Sequence, residues 1–226
     1  MDSDQDTSFE FVIDSAIGEH KISGEDEILR DLVQIFSNHF QTKYAGEPGT
    51  ARRAVHAKSH GCLKAKFKVL DHQDRDLAHA IFGKPASYDA VIRFSNGDGP
   101  AGPDSDKRVS VGIGIKVFGV TTAKLLDTQV EETIDFLLIN QPMFLVPDVR
   151  GFKTVIEARE DGRFKGVSAF FRHPVGILKR LSAFPKGDPL DIVYWSVLPF
   201  QLGDTTVKYL LRPEGPASGA RVDPMT

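Results

Sequence analysis

Between residues 62 and 70 the chain alternates, with Leu63, Ala65, Phe67 and Val69 on one side and Lys64, Lys66 and Lys68 on the other. A period of two belongs to an extended strand, whose successive side chains point to opposite faces, so this segment is a strand with one wet face. The same period returns in YDAVIRFSN (88–96), where Ala90, Ile92 and Phe94 oppose Val91, Arg93 and Ser95. It returns again in VSVGIGIKVFG, where Val109, Val111, Ile113, Ile115 and Val117 oppose Gly112 and Gly114. ETIDFLLIN (132–140) is apolar on both faces beyond Asp135, which predicts cover on both sides. VYWSVL (193–198) and TTVKYLL (205–211) read as two further strands joined through Pro199 to Asp204.

Helical spacing occurs twice. Ile28, Leu32, Ile35 and Phe36 predict a helix over about 24–40, with Ser23 and Asp26 as a capping box of shorter acid and a Gly46-Glu47-Pro48-Gly49 turn beyond it. DVRGFKTVIEARE (148–160) predicts a second. Successive strands without crossover helices between them argue for an antiparallel sheet closed into a β-barrel with flanking helices, an α+β fold. The barrel domain is expected over 23–212, between an acidic N-terminal arm (1–22) and a Pro/Gly-rich tail (213–226). Residues 62–70, 88–95, 109–118 and 132–140 should be neighbouring antiparallel strands.

Composition narrows the function. The 226 residues carry a formal net charge of -3, so there is no basic excess to displace counterions and nucleic acid is not an expected partner. The single cysteine, Cys62, allows no internal disulfide and suits a reducing, cytoplasmic setting. The N-terminus is acidic where a signal peptide is basic, and no apolar run approaches the ~20 residues that span a bilayer.

His56, His60 and Cys62 have a spacing that could suggest zinc, but no second ligand pair completes a tetrahedral set, so no metal ligand is assigned. NGDGPAGPDSDKR (96–108) lacks the spacing of a P-loop or an EF-hand and reads as a long hairpin loop. Gly112 and Gly114 lie inside a period-two run with no helix after them. Their use is therefore a bare stripe that a flat ligand or another backbone can approach, not a dinucleotide loop. The informative constellation is Arg53 and His56 with Arg93 and Ser95: the last two share a strand face, so Ser95 can orient an imidazole while both arginines meet an anion.

Four stretches in order, "RAVHAK", "VIRFSNGDG", "RVSVGIGIKVFG" and "DFLLINQPMFLVPDVRGF", resemble the haem catalase superfamily, and most closely its small catalase-related members. The resemblance runs over about residues 50–160 and more faintly to 212. It implies that His56 is the distal histidine that shuttles a proton between the peroxide oxygens, and that Ser95 orients it. It implies that Arg53 and Arg93 meet haem propionates, that Val55 lines the channel above the iron, and that Phe144 and Phe152 are the distal and stacking aromatics. The implied activity is decomposition of hydrogen peroxide or an organic hydroperoxide. Hydroperoxide rearrangement of the allene oxide synthase type, peroxidase chemistry with a reducing co-substrate, and non-catalytic binding of an apolar ligand are the alternatives. A homo-oligomer is compatible with all of them.

Two positions depart from the family. Pro142 and Phe144 put Ile139 in the column of the family's catalytic asparagine, and Asn140 one place later, on the other face unless the strand end bulges. The family's axial tyrosinate comes from an R-x-x-x-Y helix far downstream. Neither Tyr194 nor Tyr209 has an arginine four residues earlier, so the haem implied here lacks its proximal ligand within this chain. The chain is expected to be a fragment or a relative without its proximal half, with haem held weakly.

Overall fold

The computed structural model describes residues 20–44, 53, 55–71, 74–97, 110–122, 132–144, 146–160 and 188–214, without the side chains of 39–44 and 158–160. Most of the expected arm, most of the 96–108 loop, residues 161–187 and most of the tail lie outside the described residues.

Helix α1 (Glu25–Tyr44) opens the described chain. Its cap is not the one expected. The Glu25 carboxylate accepts from the Ile22 N–H (2.8 Å), while Asp26 pairs with Lys21 (2.6 Å). Gly24 precedes the helix at φ +77, a left-handed turn that glycine takes without a Cβ clash, and this advances the capping acid by one residue.

Four long strands follow: β1 (Lys58–Val69), β2 (Ala86–Asn96), β3 (Val111–Phe118) and β4 (Thr133–Ile139). Two 3₁₀ turns, Arg75–Leu77 and Ala80–Phe82, connect β1 to β2. After helix α2 (Val149–Glu160) come short strands β5 (Tyr194–Ser196), β6 (Phe200–Leu202), β7 (Thr205–Val207) and β8 (Leu210–Leu211). One antiparallel sheet has the order β1-β2-β3-β4-β5-β8, and β6-β7 form a separate hairpin. The stretch read as a connection at 199–204 thus contributes β6, and 205–211 divides into β7 and β8. Among the described residues β1 and β8 are the two edges and do not pair, so the sheet is not closed into a barrel. No helix among them is long and apolar enough to cross a membrane.

The faces divide by parity. Ala90 faces Val117, Ile92 faces Ile115 and Phe94 faces Ile113, and Ile115 in turn faces Phe136. These form a core with Val69, Leu138 and Tyr194, and each fully buried side chain of this size contributes about 1.5–3 kcal/mol. The sheet curls around this face. Phe67 of β1 and Phe136 of β4 stack with ring centroids 5.4 Å apart, although three strand spacings in a flat sheet are about 14 Å. Tyr209 closes on Phe136 edge-on at 5.1 Å.

On the other face Lys64, Lys66 and Lys68 are exposed, as their alternation requires. Two expectations fail here. Leu63, midway along the edge strand β1, is 51% exposed, and Leu137 of β4, expected to be covered on both sides, is 68% exposed. Curling covers the concave face only, so the apolar outer positions of β4 remain uncovered.

Candidate functional site

Antiparallel pairing brings the start of β1, the end of β2, the start of β3 and the end of β4 to one end of the sheet. There the residues expected to carry chemistry assemble. Ser59 of β1 pairs with Ser95 of β2, Ser95 with Gly112 of β3, and Gly112 with Ile139 of β4. Two residues along β2, β3 and β4, Cys62, Arg93, Gly114 and Leu137 form the next row on the same outer face. The ladder of β1 slips between Ser59 and Gly61, leaving His60 as the extra residue. This bulge turns the chain preceding β1 onto the outer face. His60 has that backbone task, and Cys62 is an exposed free thiol.

The turn ahead of β1 lays His56 across the sheet. Its Nδ1 is 3.1 Å from Ser95 Oγ. A Cβ on Gly112 would sit 2.6 Å from His56 Cε1 and 2.7 Å from Nδ1, so the imidazole rests directly on a bare backbone. His56 adopts φ +55, a left-handed conformation that costs a non-glycine residue about 1–3 kcal/mol and persists only where the surroundings enforce it. One enforcing contact is the Arg93 guanidinium, which donates to the His56 carbonyl at 2.8 Å.

Ser95 Oγ also reaches the Gly112 carbonyl, at 3.4 Å. A hydroxyl that gives its one proton to that carbonyl accepts from Nδ1 and leaves Nε2 as the basic ring nitrogen. Ser95 itself is 4% exposed, which shields this relay from water.

Burial, and then the neighbouring Arg53 charge, pull the Arg93 pKa below the usual guanidinium range, with the Cys62 thiol acting in the opposite sense. Burial is the larger cause and the like charge of Arg53 the second, and among the described residues neither arginine has a carboxylate partner. An anion would relieve that repulsion. Arg53 and Val55 lie at the surface, Val55 40% exposed.

Asn140 is 1% exposed and is spent on the ladder: its N–H donates to the Val111 carbonyl and its Oδ1 accepts from the Val111 N–H, both at 3.0 Å. The β3–β4 register carries no bulge, so Ile139 shares the His56 face and Asn140 continues opposite Val111. Locking Oδ1 fixes the NH₂ as the other end of the amide. Phe144 and Phe152 form their own pair, ring centroids 5.2 Å apart, where the chain leaves β4 for α2. Sequence reasoning missed Gly112 as the seat of the imidazole. The signal was there, a glycine paired with the serine, but only the register makes it readable.

Set beside solved structures, the chain is similar to a bacterial catalase (16% identity, TM-score 0.46) and to catalase A from Saccharomyces cerevisiae (20% identity, TM-score 0.47). It covers 84% and 82% of its own length in these matches but only 35% and 37% of theirs, so it spans little more than a third of either. No family model matches the chain, and no curated protein does.

Whether this face suits a haem can be asked of the residues themselves. The imidazole over Gly112, the uncovered Gly114, exposed Val55 and Leu137 and a pair of arginines offer an apolar seat with partners for carboxylates. Axial coordination is a different matter. Tyr88, Tyr194 and Tyr209 pack into the core on the opposite face of the sheet. The Tyr194 hydroxyl donates to the Pro189 carbonyl (2.7 Å), and burial pushes both the Tyr194 and Tyr209 phenols up, away from tyrosinate. The described residues offer a seat for one side of a haem, and no tyrosine described on that face stands ready to hold its iron.

Proposed function

We propose that this chain carries the distal half of a haem-dependent, catalase-like hydroperoxidase site acting on hydrogen peroxide or an organic hydroperoxide. The observation that carries the reading is His56, turned against its backbone preference onto Gly112 with Nδ1 held against Ser95. Haem, when bound, would supply the iron at which the peroxide bond is broken. The chain's part is proton handling. Nε2 of His56 accepts the proton of one peroxide oxygen and returns it to the other, and Ser95 keeps Nδ1 as the protonated nitrogen throughout. Arg53 and Arg93 would hold the cofactor's carboxylates, Val55 would line the approach, and Phe144 and Phe152 would bound it. Asn140, tied to Val111 at a strand end without a bulge, is left out of this role. A setting that keeps the exposed Cys62 reduced, the cytoplasm, suits the site.

A specific observation also favours a second reading, that of a sheet binding an apolar ligand without turnover: the tyrosines are committed to the core.

The test is haem titration followed by absorption spectroscopy and oxygen release. A Soret band with weak affinity and near-background turnover is expected of the 226-residue chain, with His56→Ala changing little. Fused to a helix presenting an axial tyrosine, the chain should evolve oxygen, and His56→Ala should then abolish it. No Soret band at any haem concentration would leave the apolar-ligand reading in place. Conversion of a lipid hydroperoxide without oxygen release would favour the rearrangement chemistry.

A further inference from the structure

We propose that Arg93 is a positioning residue for His56, its guanidinium holding the left-handed turn that lays the imidazole on Gly112 and against Ser95. The inference rests on the reading above only for its consequence in turnover. The geometry stands without haem.

Three observations converge. His56 and Ala80 are the two non-glycine residues at positive φ among the described residues, so the His56 turn needs enforcement from outside itself. The Arg93 guanidinium donates to the carbonyl of that residue at 2.8 Å, a charge-assisted bond to the main chain at the strained position. And Arg93 stands two residues before Ser95 in β2, on the same face, so one strand grips both parts of the histidine: Arg93 the backbone, Ser95 the ring. Neither grip suffices alone. Ser95 can orient the ring only once the turn has delivered it over Gly112, whose missing side chain leaves the room. Arg53, exposed and close enough to repel Arg93, makes no such bond and serves as the charge control. A guanidinium has five N–H donors, so a bond to the carbonyl leaves others for an anion.

The test is nitrogen-15 NMR of the haem-free protein, reading the His56 ring tautomer and the backbone coupling that reports its φ. Wild type should show Nδ1–H and a left-handed coupling. Arg93→Met should lose both, giving an averaged tautomer and an extended or helical coupling, with Arg93→Lys intermediate. Arg53→Gln should leave both as in wild type. Should Arg93→Met not fold, the wild-type protein still decides, because a guanidinium bonded to the carbonyl gives slowly exchanging Nη protons coupled to the His56 carbonyl carbon. Unchanged His56 signals in Arg93→Met, equal shifts in Arg53→Gln, or freely exchanging Nη protons would overturn the proposal. Absence of a Soret band would overturn the haem reading and leave this one untouched.

Discussion

A Cβ placed on Gly112 would stand 2.6 Å from the His56 ring, and one placed on Gly114 would meet Leu137 Cδ2 at an ordinary 3.5 Å. Two alanine substitutions on one strand, two residues apart, should therefore behave differently. Gly112→Ala should expel the imidazole, abolish the His56–Ser95 contact and cost about 1–3 kcal/mol as overpacking, whereas Gly114→Ala should be tolerated. Urea denaturation and the His56 NMR signals check both. Tyr194 supports a pH prediction. Burial first, and the nearby Asp188 charge second, raise its pKa above the unfolded value of about 10. The stability this contributes is fully present below pH ~10 and is lost as pH rises above it, because the unfolded chain ionises first. Stability should fall more gently above pH 10 in Tyr194→Phe, with part of the slope surviving through Tyr209, also raised by burial. A pH series of melting temperatures measures this.

Among the elements, helix entry is where pattern and structure part by a single residue. The Ser23–Asp26 box was expected, yet Glu25 caps the Ile22 N–H and Asp26 turns to Lys21. Glu25→Ala should cost about 1 kcal/mol and Asp26→Ala much less, by thermal melts at neutral pH, since one loses a backbone cap and the other an exposed ion pair. The two helices meet through Lys153 with Asp31 and through Arg150 with the Ser23 carbonyl (2.9 Å), pairs 122 and 127 residues apart that periodicity cannot foresee. The bulge at His60 is of the same kind. Nothing local distinguishes His60 from its neighbours, yet the slip sets the face on which the chain before β1 lies.

At the scale of the whole molecule, the curl of the sheet is held by few side chains. Phe136 touches Phe67 from β1, Phe82 from the connecting turn and Tyr209 from beside β8, at 5.4, 6.2 and 5.1 Å. Phe136→Ala should cost about 3–5 kcal/mol, a large part of a typical domain's stability, and flatten the sheet. Loss of cooperative unfolding in calorimetry is the expected signature, with Phe136→Leu retaining it. The four long strand runs and their order as antiparallel neighbours were legible in the sequence by itself, because a sustained period of two marks an extended chain and no helical pattern intervenes to carry a parallel crossover. The proximity of His56 and Ser95 was legible too, through motifs in their right order. What only the tertiary structure decided is how those strands meet: an open curl rather than a closed barrel, Leu137 left in solvent, the left-handed turn at His56, the guanidinium on its carbonyl and the glycine beneath its ring. Each depends on contacts between residues distant in sequence and on a register that one extra residue shifts. Local patterning carries the faces of a strand but not what comes to lie upon them.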